Sequence, residues 1–580
     1  MRVTHRANLA AILAAGLLLA GCGENQPEPT AATNTTAGVR ASAFASQYVV
    51  DFVSTAAGGV DMNSSGDVIG TSYPDPGCGP FCLPTQETVV WRGGSRIVLP
   101  SVPGLQGIYL SGINSQGAIT GIGGIPGTTT HAAVWTPSGA GYTVQDLGAL
   151  PGMSVTDAAG IDDQGRVVGW SSTGGAFPTA AAPYMWSAAT GMVNLAAQGF
   201  PNDFPLAISP NGAVATSAGW YRLGNPASVT PNPAPPSGFF GISKYSVDIN
   251  DNGDQARFLP TTSGQTLIYL FRLPNGGSWQ MVSTSPTGNL SRGSVGSINS
   301  ALDIVGTVTS TAIVAAGPSG LAQTLPPLIS PAYGVTSVSG GGPMNASGQI
   351  LASVYFGRSP RLVKLSPATA CGANCLVATA ALSAVFVQDP ANPGSCFQGG
   401  TMYNQSTATV TVTDESGAPL ANAQVNGRFM DDYWTSRAVT GTTNASGMVT
   451  WSNKGPCGVG AIEFLVEKAT LGSRTFDRTR GTLARSVIPT IGPVNQPPVA
   501  RWTVSCQPAP AHVCTFNGTG SSDPDGSIVG YKWTNTAGTT LSTLATFTRT
   551  FPSGGKRTWS LTVTDNGGAT GKLTKTFTVP

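Results

Sequence analysis

Apolar and polar residues along this chain alternate in short runs broken by Gly, Pro, Asn and Asp, the period-two signature of half-buried strands. Through residues 60–355 one pattern recurs: an apolar residue, then Asn, Asp or Ser, two variable positions and Gly, with an aliphatic residue two places on. The copies start at Met62-Asn63, Ile113-Asn114, Ile161-Asp162, Ile208-Ser209, Ile249-Asn250, Ile298-Asn299 and Met344-Asn345, spaced by 51, 48, 47, 41, 49 and 46 residues. Each predicts a hairpin, because a short polar side chain at the first turn position bonds the backbone further on and Gly suits the fourth. Gly70, Gly121, Gly169 and Gly306 follow two residues after the aliphatic position, where strands approach closely. A second hairpin follows in several copies, at residues 89–92, 131–135 and 184–186. Two hairpins in about 47 residues make one propeller blade of four strands. Seven copies predict a closed ring, with the strand-like residues 48–53 completing the last blade. A stacked solenoid is the alternative, but such arrays need distinct capping repeats, and none is visible. Copy five (Gln255, Arg257) and copy six (Leu302 in place of the turn Gly) predict locally altered loops.

Composition supports strands. Gly (76) and Pro (44) fill about a fifth of the 580 positions, which disfavours long helices. With 41% hydrophobic and 10% charged residues, charge-driven disorder is also excluded. The fold class is therefore all-β. At about 150 residues per domain the length suggests roughly four domains, a figure that β-rich chains often undershoot.

The N-terminus reads as an export signal. Arg2 and Arg6 precede an apolar run from Ala7 to Ala20, too short for the roughly 20 residues that span a bilayer. Leu19-Ala20-Gly21-Cys22 resembles the lipobox of bacterial lipoproteins. That resemblance implies cleavage after residue 21, acylation of Cys22 and anchoring in a lipid bilayer, with outer membrane or cell surface as the expected location. Residues 22–45, rich in Thr, Ala, Pro and Asn, read as a flexible tether. Removing residues 1–21 leaves 27 basic side chains against 27 acidic ones, so no nucleic-acid footprint is expected. Eight cysteines remain, and their spacing suggests Cys78–Cys82, Cys371–Cys375, Cys396–Cys457 and Cys506–Cys514 disulfides. Zinc is the alternative for the two C-x-x-x-C loops, but no His lies near either.

Residues 145–152 (Gln-Asp-Leu-Gly-Ala-Leu-Pro-Gly) leading into 159–169, together with His131-Ala132-Ala133-Val134-Trp135, resemble the bacterial extracellular HAF repeat. The family implies a surface-exposed module without assigned chemistry. Beyond Pro367 the character changes. Residues 407–429, 442–451 and 462–470 resemble bacterial Ig-like domains. Residues 491–498 read as a stiff linker. Beyond it, Ser521-Ser522-Asp523-Pro524-Asp525-Gly526, Tyr531-Lys532-Trp533 and residues 561–568 match the PKD-type β-sandwich over 495–580. One departure is Thr534-Asn535-Thr536-Ala537-Gly538, which stands where that family usually has Asp-Phe-Gly-Asp-Gly. The expected architecture is a signal at 1–21, a tether at 22–45, a seven-bladed β-propeller at 46–368, an Ig-like sandwich at 369–490, the linker at 491–498 and a PKD-type sandwich at 499–580.

Candidate chemistry is sparse. No G-x-S-x-G elbow, H-E-x-x-H or P-loop is present, so hydrolase, metalloprotease and nucleotide readings lose their usual support. The mature chain has two histidines, His131 and His512, and the repeat region one glutamate, Glu87. Its aspartates lie mostly in turns (Asp162, Asp163, Asp251, Asp254), where capping accounts for them; Asp61, Asp248 and Asp303 sit beside strands and are the candidates for an inward-facing acid. Asp523 and Asp525 are weak calcium candidates, with turn capping the preferred reading. Trp533 is expected to fill the sandwich core. The reading is of a non-catalytic envelope lipoprotein, without cofactor, that binds a polysaccharide or extracellular protein. The alternative is an exported polysaccharide-active enzyme, which would need paired carboxylates on one face.

Overall fold

In the computed structural model the described residues are all but 1–46, 56, 75–84, 126–128, 175–179, 235–246, 260–268, 274–278, 282–292, 309–310, 316–322, 389–401, 433–434, 456–458 and 492–494. The signal, the tether with Cys22, the Cys78–Cys82 and Cys396–Cys457 pairs and part of the linker lie outside them. Apart from three single-turn helices, every regular element described is a strand. Two compact units emerge. One takes in the chain up to Ala381 with Thr409–Thr450 and Glu463–Ser486; the other holds Leu382–Ala408, Trp451–Ile462 and Val487–Pro580.

In the first unit, seven four-stranded antiparallel sheets are described between Tyr48 and Pro367. The first runs Ala57–Met62, Val68–Ser72, Glu87–Arg92, Ser95–Val98 in chain order, and the next five repeat that order. In the seventh, Ser337–Met344, Ile350–Tyr355 and Pro360–Pro367 are completed by Tyr48–Ser54, which pairs antiparallel with Pro360–Pro367. The strand expected to close the circle does so. The leading strand of each sheet touches that of the next, and Ser337–Met344 touches Ala57–Met62. The arrangement is β-propeller-like.

All seven recurring turns have one geometry. The anchor oxygen accepts the N–H four residues on, as in Asn63 Oδ1 from Asp67 (2.9 Å), Ser209 Oγ from Ala213 (3.0 Å) and Asn345 Oδ1 from Gln349 (3.0 Å). The anchor carbonyl accepts the N–H three residues on. That last residue sits in the left-handed region, as in Gly66 at φ 79°. Copy six was expected to differ and does not: Leu302 takes φ 68° and donates to Asn299 like the glycines. The turn persists at a backbone cost of about 1–2 kcal/mol.

The close approach predicted at the later glycines is also present. A Cβ on Gly70 would fall 2.0 Å from the Gly58 carbonyl oxygen, and one on Gly169 would fall 1.9 Å from that of Asp157. In copy five that position is Arg257, which stands opposite Val247 on the neighbouring strand. Its side chain is fully buried, donating to the Thr216 carbonyl and, at 2.9 Å, to Gln255 Oε1; burial lowers its pKa to about 10. Here the expected local alteration is real.

A polar seam joins neighbouring sheets. Asn63 Nδ2 donates to the Asn114 carbonyl (3.2 Å), Asn114 Nδ2 to that of Asp162 (3.0 Å) and Asn250 Nδ2 to that of Asn299 (2.9 Å). Asn345 Nδ2 donates to Asn63 O at 3.2 Å, which links the last repeat to the first. The other three junctions use substitutes: Asp163 N–H to Pro210 O (2.9 Å), Asn211 N–H to Asp251 Oδ1 (2.8 Å) and Ser297 Oγ–H to Met344 O (3.4 Å).

Asn345→Asp keeps the acceptor within its own turn and deletes the donor to Asn63. Urea unfolding of the soluble ectodomain should show a loss of about 1–3 kcal/mol. An unchanged midpoint would mean that the seam does not hold the ring closed.

Candidate functional site

The inward-facing acids expected from the sequence are engaged in building the ring. Asp61 Oδ2 accepts the Ile113 N–H of the next repeat at 3.1 Å, and Asp248 Oδ2 accepts that of Ile298 at 2.9 Å. Asp303 Oδ2 accepts Asn299 Nδ2 within its own turn at 2.9 Å. The turn aspartates behave as caps or links. Asp162 Oδ1 accepts the Arg166 N–H and its Oδ2 binds the Arg166 guanidinium, while Asp163 Oδ1 accepts the Ser115 N–H. Asp254 Oδ2 accepts Asn250 Nδ2. Glu87 pairs with Arg96. His131 Nδ1 lies 2.9 Å from Asp146 Oδ2 on the surface, and the His512 carbonyl accepts the Phe551 N–H. Among the described residues no group of three or more His, Cys, Asp and Glu is arranged to hold a metal ion, and no helix is long and apolar enough to cross a membrane.

Sequence reading missed a set of charges on the closing sheet. Arg361 and Glu463 are fully buried and form an ion pair, Nε to Oε2 at 2.7 Å. Arg361 also donates to the carbonyls of Thr55 and Asp431. Burial pushes the Glu463 carboxyl up, and the Arg361 guanidinium opposes it. Arg478 donates to Asp51 Oδ1 and to the Val50 carbonyl, both on the strand that closes the ring. Nearby, Pro331, Ala332, Asp414, Glu415, Thr479 and Arg480 line a shallow, open cleft of ≈ 570 Å³. Its polar groups are occupied: Asp414 caps its own turn, Glu415 accepts the Asn374 and Cys375 N–H groups, and Arg480 pairs with Asp477. Cys375 is in turn joined to Cys371, as its spacing suggested.

In the second unit, residues 503–579 form two packed sheets. One holds Thr503–Cys506, Val513–Asn517 and Thr546–Thr550; the other runs Thr540–Ser542, Ile528–Asn535, Gly555–Asp565, Thr570–Val579. Between them Trp502, Phe516, Trp533, Trp559 and Phe577 stack edge to face and face to face. Trp533 is a core residue, with its Nε1 donating to the Leu544 carbonyl at 2.9 Å. The Cys506–Cys514 disulfide joins two neighbouring strands. The departing segment after Trp533 is a plain capped turn: Asn535 Oδ1 accepts the N–H groups of Ala537 and Thr539.

Comparison with known proteins is informative for this part of the chain. Residues 495–580 match the PKD domain family. The PKD1 domain of Vibrio anguillarum Epp is 33% identical over 15% of this chain and 95% of its own length, with a TM-score of 0.13. Residues 495–580 belong to the PKD family. The PKD1 domain of the Vibrio cholerae metalloprotease PrtV is 34% identical over 14% of this chain and 98% of its own, TM-score 0.13. XC5397 from Xanthomonas campestris, a gluconolactonase, is 11% identical across 57% of this chain and 99% of its own, with a TM-score of 0.28. No curated protein matches the chain.

For Asp523 in the PKD domain the expected role is turn capping, with calcium the weaker reading. Both of its carboxylate oxygens are shielded from solvent, and the backbone amide of Asp525 is the donor beside them. Desolvation, with the charges of Asp525 and Asp565 beside it, holds its carboxyl above the ordinary range. Asp525 Oδ2 accepts the Gln496 N–H, Asp565 Oδ2 accepts Asn495 Nδ2, and Asn566 Oδ1 accepts the Ser527 N–H. Carboxylate and amide oxygens are the donor type that calcium takes, but these three acids are not arranged as a group that holds an ion, so calcium here is a question for experiment.

A raised carboxyl destabilises the fold above its own pKa, and that penalty disappears as pH falls through the raised value toward the ordinary carboxylate range. Asp523→Asn should therefore raise the melting temperature at neutral pH in chelator, and millimolar calcium should do the same for the wild type but not for the variant. Equal calcium responses in the two proteins would exclude Asp523 as a ligand.

Proposed function

We propose that the mature chain is a non-catalytic envelope lipoprotein, in which a seven-bladed β-propeller of HAF-type repeats binds a polysaccharide or an extracellular protein, followed by Ig-like and PKD domains. The observation that carries this reading is the use of Asp61, Asp248 and Asp303 as acceptors for backbone or turn donors. Carboxylates so used hold the ring together and are poorly suited to act as the movable acid and base that glycoside cleavage requires. The seven sheets, joined from first to last through the Asn seam, support a rigid disc with two wide faces. Leu19-Ala20-Gly21-Cys22 supports acylation at Cys22 and location at the outer membrane or cell surface.

Purified ectodomain on arrays of glycans and matrix proteins should give saturable hits that persist when the PKD domain is removed. Product release from a polysaccharide panel, abolished by Asp61→Asn or Asp248→Asn in a protein that still melts cooperatively, would instead establish an enzyme. The anchor is tested separately: Cys22→Ala should move the protein from the membrane pellet to the soluble fraction, and unchanged fractionation would refute lipidation.

A further inference from the structure

The PKD domain carries a charge imbalance that the rest of the chain does not share. Residues 495–580 contain seven Lys and Arg against three Asp, whereas the remainder of the mature chain has four more acids than bases. The three acids, Asp523, Asp525 and Asp565, lie close enough together to act on one another, and they interact with Asn495 and Gln496 at the start of the domain. The rest of the surface is left cationic.

Strand alternation concentrates part of that charge on one sheet face. Trp533, Leu561, Val563 and Phe577 point into the core, so their neighbours in sequence point outward. In register across three strands, Lys532 is opposite Thr562, which is opposite Lys572. One row along, Thr534 is opposite Ser560, which is opposite Thr574; farther on, Lys556 faces Thr578. Lys532, Lys556 and Lys572 are exposed. Between them the hydroxyls pair across strands, Ser560 with Thr574 at 2.7 Å and Thr558 with Thr576 at 2.8 Å; Ser560 is itself buried, so Thr558, Thr574 and Thr576 are the hydroxyls that reach solvent. A paired hydroxyl retains acceptor capacity, and one of the two keeps a free proton. Between the Lys532 row and the Lys556–Thr578 pair this face has no carboxylate and no aromatic side chain.

We infer that this sheet face binds an acidic polysaccharide of the uronate type. Three ammonium groups with no competing acid attract a polyanion. Hydroxyl rows about 7 Å apart along the strands and about 4.8 Å apart across them offer both donors and acceptors to sugar hydroxyls and carboxylates. The same inventory disfavours other partners. Sequence-tolerant binding of single-stranded nucleic acid uses exposed aromatic platforms, and here Trp502, Trp533 and Trp559 are inside. A protein interface needs an apolar centre, and between the Lys532 row and the Lys556–Thr578 pair this face has none. The site is separate from the propeller and does not depend on what the propeller binds.

The test uses the whole ectodomain with polygalacturonate and alginate as probes, and dextran and single-stranded DNA as comparators, at low and at physiological salt. Wild type should bind both uronates, several-fold more weakly at the higher salt. Lys532→Gln/Lys556→Gln/Lys572→Gln should weaken binding about tenfold or more at low salt with the melting temperature unchanged. The charge-matched variant Lys454→Gln/Lys468→Gln/Arg549→Gln, altered at exposed cations elsewhere, should stay within about twofold of wild type. Equal losses in the two triple variants would reduce the effect to overall charge and overturn the site. Binding to dextran as strong as to uronate, or to DNA alone, would overturn the ligand class.

Discussion

In four of the seven repeats one asparagine amide does two jobs, and the ring is built around both. Its oxygen closes the local turn by accepting the N–H four residues on, while its Nδ2 reaches the carbonyl of the same turn in the next repeat. Asp can do only the first, because an ionised carboxylate has no proton to donate; Ser is too short to do both. The structure respects that chemistry where the anchor changes. At Asp162 the freed carboxylate oxygen is taken by Arg166, and the link forward passes to the Asp163 amide. At Ser209 it passes to Asn211 and Asp251. Each bond is worth only about 1 kcal/mol. Its weight comes from topology: Asn345 meets Asn63 only when the other six junctions are in place.

The ring is fastened at one sheet only, where Tyr48–Ser54 joins strands more than 300 residues later in the chain. An outermost strand of this kind has an unpaired edge, and such edges fray or pair with other chains. Here the edge is covered from within the same compact unit. Ser330 N–H donates to Tyr48 O, Arg478 to Val50 O and Asp51, and Arg361 to Thr55 O. The buried Arg361–Glu463 pair adds little net stability on its own account, because both charges lose their water. Its effect shows when one partner is removed, because the other is then left as an uncompensated buried charge. The segment after Pro367, expected from sequence to be a separate Ig-like sandwich, contributes Asp431, Glu463 and Arg478 to the fastening of the ring.

Sequence made some of this plain and hid the rest for physical reasons. The turns, their seven-fold recurrence, the close approach at Gly70 and Gly169 and the closing role of residues 48–53 were visible because each is set by a local rule of backbone geometry. Copy six was misjudged, since Leu302 shows that a turn held from both sides tolerates a left-handed non-glycine. The seam was hidden because a hydrogen bond to the next repeat leaves no mark beyond a preference for Asn over Asp. A second recurring position also escaped notice: Leu99, Leu147, Leu195 and Leu325 are buried, and each donates its N–H to a carbonyl of the third strand in its own sheet. Leu99, Leu147 and Leu195 are 48 residues apart, as regular as the turns, so this position was legible in the sequence even though its distance from the turn anchor varies. The fate of Asp61 and Asp248 was invisible, because a carboxylate beside a strand looks the same whether it faces a substrate or the amide of the next repeat.

The position of the tether bears on how the fastening works. Residues 22–45 run directly into Tyr48, so an anchor at Cys22 would deliver any pull from the membrane to the closing strand before any other element. Load at that end acts first on Tyr48 and Val49, whose partners are Pro367 and Ser366. A two-stranded edge peeled from its end yields one hydrogen bond at a time. The contacts at Tyr48 O and Val50 O come from a second direction, so peeling must break the pairing with 360–367 and the bonds to Ser330 and Arg478 together. Concurrent rupture raises the barrier even where each bond is weak. If Cys22 is the anchor proposed above, the buried Arg361 and the half-buried Arg478 stand where the pull would arrive first, and the strands after residue 367 would gain a mechanical reason to pack against the last sheet.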